Sequence, residues 1–242
     1  MATIQVVGEI FVEPDSGGLT AASSQWIVAQ IKDVLSKRER CSIALSGGNT
    51  PGPIYRRLAE AGVAGEYDGS RLDLCLADER CVPATHVDSN VRLVREQWLA
   101  IDSKPNLICP RGDSSDWAAE ADAYAAALPE PIDLVLLGIG PDGHTGSLFP
   151  GSSTAAEMER TVVYVSDSPK PPPDRWSLSA RALLDARALV TIVAGLDKAE
   201  ALARAIEGPW VPLATPAQLA RRGTWFLDTK AASQLTQLNQ DS

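Results

Sequence analysis

The sequence predicts an α/β protein, a mostly parallel sheet with helices on both faces. Two observations carry that reading. Short β-rich runs alternate along the chain with longer segments whose apolar residues recur at helical spacing. The alternation also persists from end to end without an internal repeat or a long linker, which is how a parallel sheet with crossover helices reads. At 242 residues, 45% of them hydrophobic, there is ample material for a buried core, and the expectation is one α/β domain spanning 1–242.

Each element can be justified in order. Residues 19–37 (LTAASSQWIVAQIKDVLSK) place Trp26, Ile27, Ile31, Val34 and Leu35 at helical spacing. CSIAL (41–45) is a strand, PGPIYRRLAEAG (51–62) a helix, LDLCLAD (72–78) a strand and SNVRLVREQWLA (89–100) a helix. SDWAAEADAYAAAL (115–128) is strongly helical, and PIDLVLLGIG (131–140) is a buried strand. A shorter strand, TVVYVS (161–166), precedes the Pro-dense SPKPPPDRW (168–176), which is too short to part domains. Two further strand–helix units close the chain: ALVTIVAG with LDKAEALARAIEG (188–208), and TWFLD with TKAASQLTQL (224–238).

Composition excludes several classes. A formal charge of −9 argues against nucleic acid, which needs a basic face. A small anionic ligand is still allowed, provided its cations are gathered locally. The basic run KRER (37–40) ends a helix and precedes a strand, where cations complement the helix dipole at a solvated end. No segment approaches the ~20 apolar residues of a membrane span, and MATIQVVGEIFVEPD lacks the pattern of a secretory signal. The four cysteines form no C-x-x-C pair, and with two histidines in the chain no closed zinc site can be assembled from familiar spacings. A cytoplasmic protein, monomeric or weakly homo-oligomeric, is expected. The sequence gives no account of why six tryptophans occur beside three phenylalanines and four tyrosines.

Two glycine loops carry the chemistry. In IALSGGNTPGPIY, Ser46, Gly47, Gly48 and Asn49 cross from a strand to a helix that Thr50 would cap and Pro51 would open. Free N–H groups, the helix dipole and closely approachable glycines make an anion site there, unless the stretch is simply a tight βα turn. No G-x-x-x-x-G-K-[ST] occurs in it, so it is not a Walker A loop. In LLGIGPDGHTGSLFPG (136–151), His144 lies in the most glycine-rich stretch of the chain. A neutral imidazole suits proton abstraction near neutral pH, and Asp142 stands two residues away to orient it; the alternative is a histidine that merely caps a turn. GIGPDG also fits G-x-G-x-x-G, and Asp167 follows the next strand. Pro141 and the missing crossover helix nonetheless oppose a dinucleotide site. No G-x-S-x-G elbow exists.

Further candidates flank these loops. Asp78, Glu79 and Arg80 are expected just beyond a strand's carboxyl end, where an arginine can clamp phosphate and acids can meet sugar hydroxyls or water. Their alternative is a surface ion-pair cluster. Lys170 and Arg175 are a second cationic source on a proline-stiffened loop. Lys198 opens a helix against its dipole, which an anion nearby would explain. His86 is expected at the surface.

With these residues assembled, the chain resembles the family of the 6-phosphogluconolactonases and glucosamine-6-phosphate deaminases. The resemblance runs nearly end to end through LSGGNTPGPIYRRLA, ADERCVP, HVDSN, DLVLLGIGPDGHTGSLFPG, SPKPPPDRWSLS, VAGLDKAEAL and WFLDTKAA. It implies a three-layer, modified Rossmann-like sandwich of the deaminase/ribose-5-phosphate isomerase kind. The implied activity is cofactor-free hydrolysis of 6-phospho-D-glucono-1,5-lactone to 6-phosphogluconate in the oxidative pentose phosphate pathway. It also implies His144 as the water-activating base with Asp142 as its companion, Arg80 and Lys170 near the substrate phosphate, and Ser46–Pro51 as the backbone part of that site. Two departures are Gly146, where relatives often carry Ala, and Trp176-Ser177 after Arg175, with Trp176 expected to shape the substrate wall. The deaminases resemble DEY at 78–80 and continue their histidine loop into AFNEP; here GSLFP lacks that carboxylate, which points to lactone hydrolysis. A sugar-phosphate sensor on the same scaffold would keep the phosphate loop without a poised base.

Overall fold

The computed structural model describes residues 7–236. Its elements are β1 (Ile10–Glu13), α1 (Ser16–Lys37), β2 (Cys41–Leu45), α2 (Pro51–Val63), β3 (Leu72–Leu76), β4 (Asp78–Arg80) and α3 (Asn90–Val94), which runs into a π-turn at Arg95–Leu99. There follow β5 (Asn106–Leu107), α4 (Trp117–Ala127), β6 (Leu134–Leu137), β7 (Val162–Val165), β8 (Arg175–Leu178), α5 (Ala180–Asp185), β9 (Ala188–Val193), α6 (Ala199–Ile206) and β10 (Thr224–Asp228).

Seven strands form one sheet in the order β1-β10-β9-β6-β2-β3-β5, and every pairing in it is parallel. The central strands β2 and β6 are buried at every position, because helices cover both faces. From β2 the chain builds outward through β3 to β5. From β6 it builds the other way through β9 to β10, and β1 closes that edge. The order therefore reverses between β2 and β6, and the carboxyl ends of these two neighbours open a crevice.

A second, antiparallel sheet, β4-β8-β7, covers one side of that crevice. Asp78–Arg80 lie just beyond the carboxyl end of β3, as expected, but they form a strand of their own: the chain leaves the large sheet at Ala77 and pairs with β8. The Pro-dense 168–176 stretch likewise turns into a strand at Arg175, as soon as its prolines stop withholding N–H donors.

Local signals explain the other shifts. Helix α1 begins at Ser16, before the expected 19, because the Asp15 carboxylate accepts from Gly17 and Gly18 N–H at 2.8 and 2.9 Å. The basic run after it is more than a solvated end. Arg40 pairs bidentately with Asp73 at 2.6 and 2.8 Å, and Arg38 reaches Asp133 at 3.4 Å. Pro51 opens α2 as expected, but Thr50 is already helical in φ and ψ and makes no side-chain cap bond. The closing helix expected at 229–238 is a single 3-10 turn, Ala231–Gln234; its last two residues lie outside the described ones, as do the first six of the stretch judged not to be a signal.

The tryptophans now have an account. Trp98, Trp176 and Trp225 are fully buried, filling cores on the two faces of the sheet. Trp26 packs edge-on to Phe226, Trp117 lies against Tyr164, and Trp210 lies beneath the Arg221 guanidinium. Trp176 donates its indole N–H to Trp117 O at 2.8 Å and is core, not substrate wall. The four cysteines are free thiols, and among the described residues no helix is long and apolar enough to cross a membrane.

Candidate active site

At the crevice between β2 and β6 lies a cleft of about 430 Å³. Both glycine loops line it, together with Asp78, Lys170, Asp197 and Lys198.

The first loop forms one wall. Ser46 ends β2 and donates its hydroxyl to Leu136 O at 2.7 Å, locking the loop to β6, while Tyr55 of α2 donates to Ser46 O at 2.6 Å. The Ser46 hydroxyl proton is thus used in the fold, and the loop's offering is its backbone. The N–H groups of Gly47, Gly48 and Asn49 make no hydrogen bond among the described residues and precede the N-terminus of α2. Thr50 makes no side-chain cap bond, and its hydroxyl beside them has no partner among the described residues. Gly47 is required by a close approach: a Cβ there would lie 1.9 Å from Asn90 Oδ1. Gly48 takes φ +101°, which side chains rarely adopt.

The second loop presents the histidine. Gly138–Gly146 follow β6, and turns at Gly143 (φ +93°) and Gly146 (φ +54°) fold the segment back on itself. His144 Nδ1 lies 2.5 Å from Asp142 Oδ1. A Cβ on Gly140 would fall 2.0 Å from the imidazole, so glycine is what admits the pair. The ring packs on Phe149 with centroids 4.9 Å apart. Lys170 Nζ stands 3.4 Å from His144 Nδ1 and 3.8 Å from Asp142 Oδ1.

These contacts set the protonation states. Burial pushes His144 below its ordinary range, and the bond and charge of Asp142 offset only part of that. Burial works against an ionised Asp142, but the His144 bond and charge, with Lys170, outweigh it and hold the carboxyl low. At neutral pH the pair is a carboxylate and a neutral imidazole. With Nδ1–H donated to Asp142, the bare Nε2 is the basic atom, and it has no partner among the described residues.

The remaining candidates separate into two groups. Lys198 lines the cleft just before α6, its Nζ 2.9 Å from Asp197 Oδ2. Asp78 also lines it, accepting from the Ser147 hydroxyl at 2.8 Å. Glu79 does not: its carboxylate is consumed by Arg80, Asn90 and Val91 N–H and by the Ser89 hydroxyl, which fixes the start of α3. Arg80 is outside the lining as well, with its guanidinium turned to Asp88 O. Arg175, expected at a phosphate, is buried and donates to Lys170, Pro171 and Pro172 carbonyls. His86 is exposed, as expected.

Sequence reasoning missed Asn90, Phe149 and Asp197. Asn90 holds Gly47 and Asp78 in register by donating to Asp78 O at 2.8 Å. Each lies inside a stretch already singled out (HVDSN, GSLFPG, GLDK), so the signal was present but pointed to neighbours. The dinucleotide reading fails on the fold: after the second loop comes only a 3-10 turn, Ser153–Ala156.

Residues 14–227 match the family model described as glucosamine-6-phosphate isomerases/6-phosphogluconolactonase. The chain is 36% identical to the 6-phosphogluconolactonase of Streptomyces coelicolor, over 94% of each protein. It is also 36% identical to that of Homo sapiens, over 95% of this chain and 94% of the human one. Among solved structures, the 6-phosphogluconolactonase of Trypanosoma cruzi superposes with a TM-score of 0.84 at 28% identity, over 96% of this chain and 98% of the other.

Proposed function

The chain belongs to the glucosamine-6-phosphate isomerase/6-phosphogluconolactonase family, and we infer from its site that it is a lactone hydrolase. It converts 6-phospho-D-glucono-1,5-lactone to 6-phospho-D-gluconate in the pentose phosphate pathway. The observation that carries the mechanism is the His144–Asp142 pair, its Nε2 without a partner among the described residues, lining the same cleft as the Ser46–Thr50 loop.

In this reading the substrate phosphate meets the N–H groups of Gly47, Gly48 and Asn49, the Thr50 hydroxyl and the Lys198 ammonium. The lactone carbonyl then faces His144. Nε2 takes a proton from water as its oxygen bonds to C1, and the developing imidazolium is stabilised by Asp142. Lys170, beside the base, offsets the charge on the tetrahedral oxyanion. Collapse breaks the C1–O5 bond, and the imidazolium returns its proton to O5. Asp78 meets a ring hydroxyl. General-base assistance of about 10²–10⁴-fold suffices for a lactone already prone to hydrolysis.

Phosphorus NMR tests the activity directly. Freshly prepared lactone should convert to 6-phosphogluconate much faster with the protein than without it; equal rates would refute the reading.

A further inference from the structure

Arg175 is buried and outside the lining of the cleft, away from the phosphate expected of it. It pairs across the small sheet with Arg80, a like charge directly opposite, and burial lowers its affinity for its proton. Such an arrangement costs stability unless other contacts of the guanidinium offset it. Its Nε donates to Pro172 O at 3.0 Å, and its Nη2 to Pro171 O at 3.1 Å and Lys170 O at 3.2 Å. Three successive carbonyls of one strap are thus gathered on one planar group, which a lysine cannot reproduce. Ser168 adds a local clasp, donating to Lys170 O at 2.9 Å and accepting from Lys170 N at 3.2 Å.

The same guanidinium sits over the Phe149 ring, 5.8 Å from its centroid, and Phe149 in turn packs on the His144 ring. Arg175 therefore touches the base twice removed: through Phe149, and through the strap that carries Lys170 to 3.4 Å from Nδ1.

We propose that Arg175 is a positioning residue, fastening the proline strap so that Lys170 is held against the His144–Asp142 pair while Phe149 backs the imidazole. The proposal rests on the reading of His144 as the base. The charges that face His144 are Asp142 on its own loop, Lys170 on the strap and Asp78 on β4, with Arg175 behind Phe149. Of these, Lys170 is the cation that disfavours a proton on the imidazole. Releasing the strap should let His144 hold its proton to higher pH.

The test uses the chain's two histidines, whose ring protons can be followed by NMR and assigned with His144→Gln. In Arg175→Lys the His144 midpoint should move upward and the acid limb of kcat/KM should move with it. kcat should fall about tenfold, as a base displaced by less than an ångström implies, while the dissociation constant for 6-phosphogluconate stays within about twofold, since Arg175 supplies no ligand contact. Lys170→Met leaves the buried arginine in place, guards against a folding defect, and should give the same upward shift of His144.

Two results would overturn the proposal. One is a tenfold loss of product affinity in Arg175→Lys with kcat unchanged, which would make the arginine an anion ligand. The other is an unmoved His144 midpoint in either variant. A parent protein no faster than spontaneous hydrolysis would instead sink the lactonase reading, and the NMR midpoints would still decide the role of Arg175.

Discussion

Replacing Gly140 with alanine adds one methyl group at the point where the His144–Asp142 pair is tightest. The new Cβ would lie 2.0 Å from both His144 Cε1 and Nδ1, and 2.5 Å from Asp142 Oδ1. Ordinary contact needs about 3.5 Å, so the imidazole must retreat by roughly 1.5 Å. Gly140 does not use the left-handed region, so the substitution carries no backbone strain of its own. The side chain of His144 is 17% exposed at the rim of the cleft and has room to swing away. A base displaced by about 1 Å loses on the order of 10²-fold in rate, equivalent to about 3 kcal/mol of transition-state stabilisation. The expected Gly140→Ala protein is folded, binds 6-phosphogluconate nearly as tightly as the parent, and turns over at about 1% of its rate. Proton release during hydrolysis of fresh lactone in weak buffer, corrected for the spontaneous reaction, measures it. A variant with kcat within threefold of the parent would refute the placement of the base.

Other perturbations separate the parts of the site. Asp142→Asn keeps the shape but lets an amide N–H donate to Nδ1, moving the ring proton to Nε2; kcat should fall by about 10²–10⁴-fold, and a fall below tenfold would contradict the pairing. Lys198→Ala removes a charge-assisted contact of about 1.5–3 kcal/mol, so the dissociation constant for 6-phosphogluconate should rise about 10–100-fold while kcat at saturation holds. Gly47→Ala drives a methyl into Asn90, which is buried; overpacking of about 1–3 kcal/mol should lower Tm by about 3–10 °C in a thermal melt. The sign of the pH dependence follows from burial of His144: the active form is unprotonated, so kcat/KM is lost as pH falls through a midpoint below the usual ~6.5 of histidine. A midpoint above 7 would mean that the imidazole is not desolvated as described.

The sequence made the parallel sheet legible because its strands are short apolar runs followed by glycine loops and helices, and these are local signals. Pro51 marked the start of α2, and the two glycine loops marked the edge where the cleft opens. The small sheet was hidden for a different reason. β4 pairs with β8, nearly 100 residues later in the chain, and neither DER nor RWSL has the length or alternation that announces a strand. That pairing decides the fate of both arginines. Beside prolines or at a strand end, a cation reads as a phosphate ligand, yet pairing turns Arg80 to Asp88 O and Arg175 to the strap carbonyls. His144 and Asp142 were legible because they lie two residues apart in one loop. Phe149 was not, because a ring five residues on meets the imidazole only after the turns at Gly143 and Gly146.

In the proposed mechanism the glycine loop after β6 holds His144 as a base against water and a lactone. The most direct test prepares the δ-lactone fresh and follows its disappearance with the parent protein, with His144→Ala and with no protein. Loss of lactone at well above the spontaneous rate with the parent alone is the predicted result, with His144→Ala still binding 6-phosphogluconate. A His144→Ala protein as fast as the parent would contradict it.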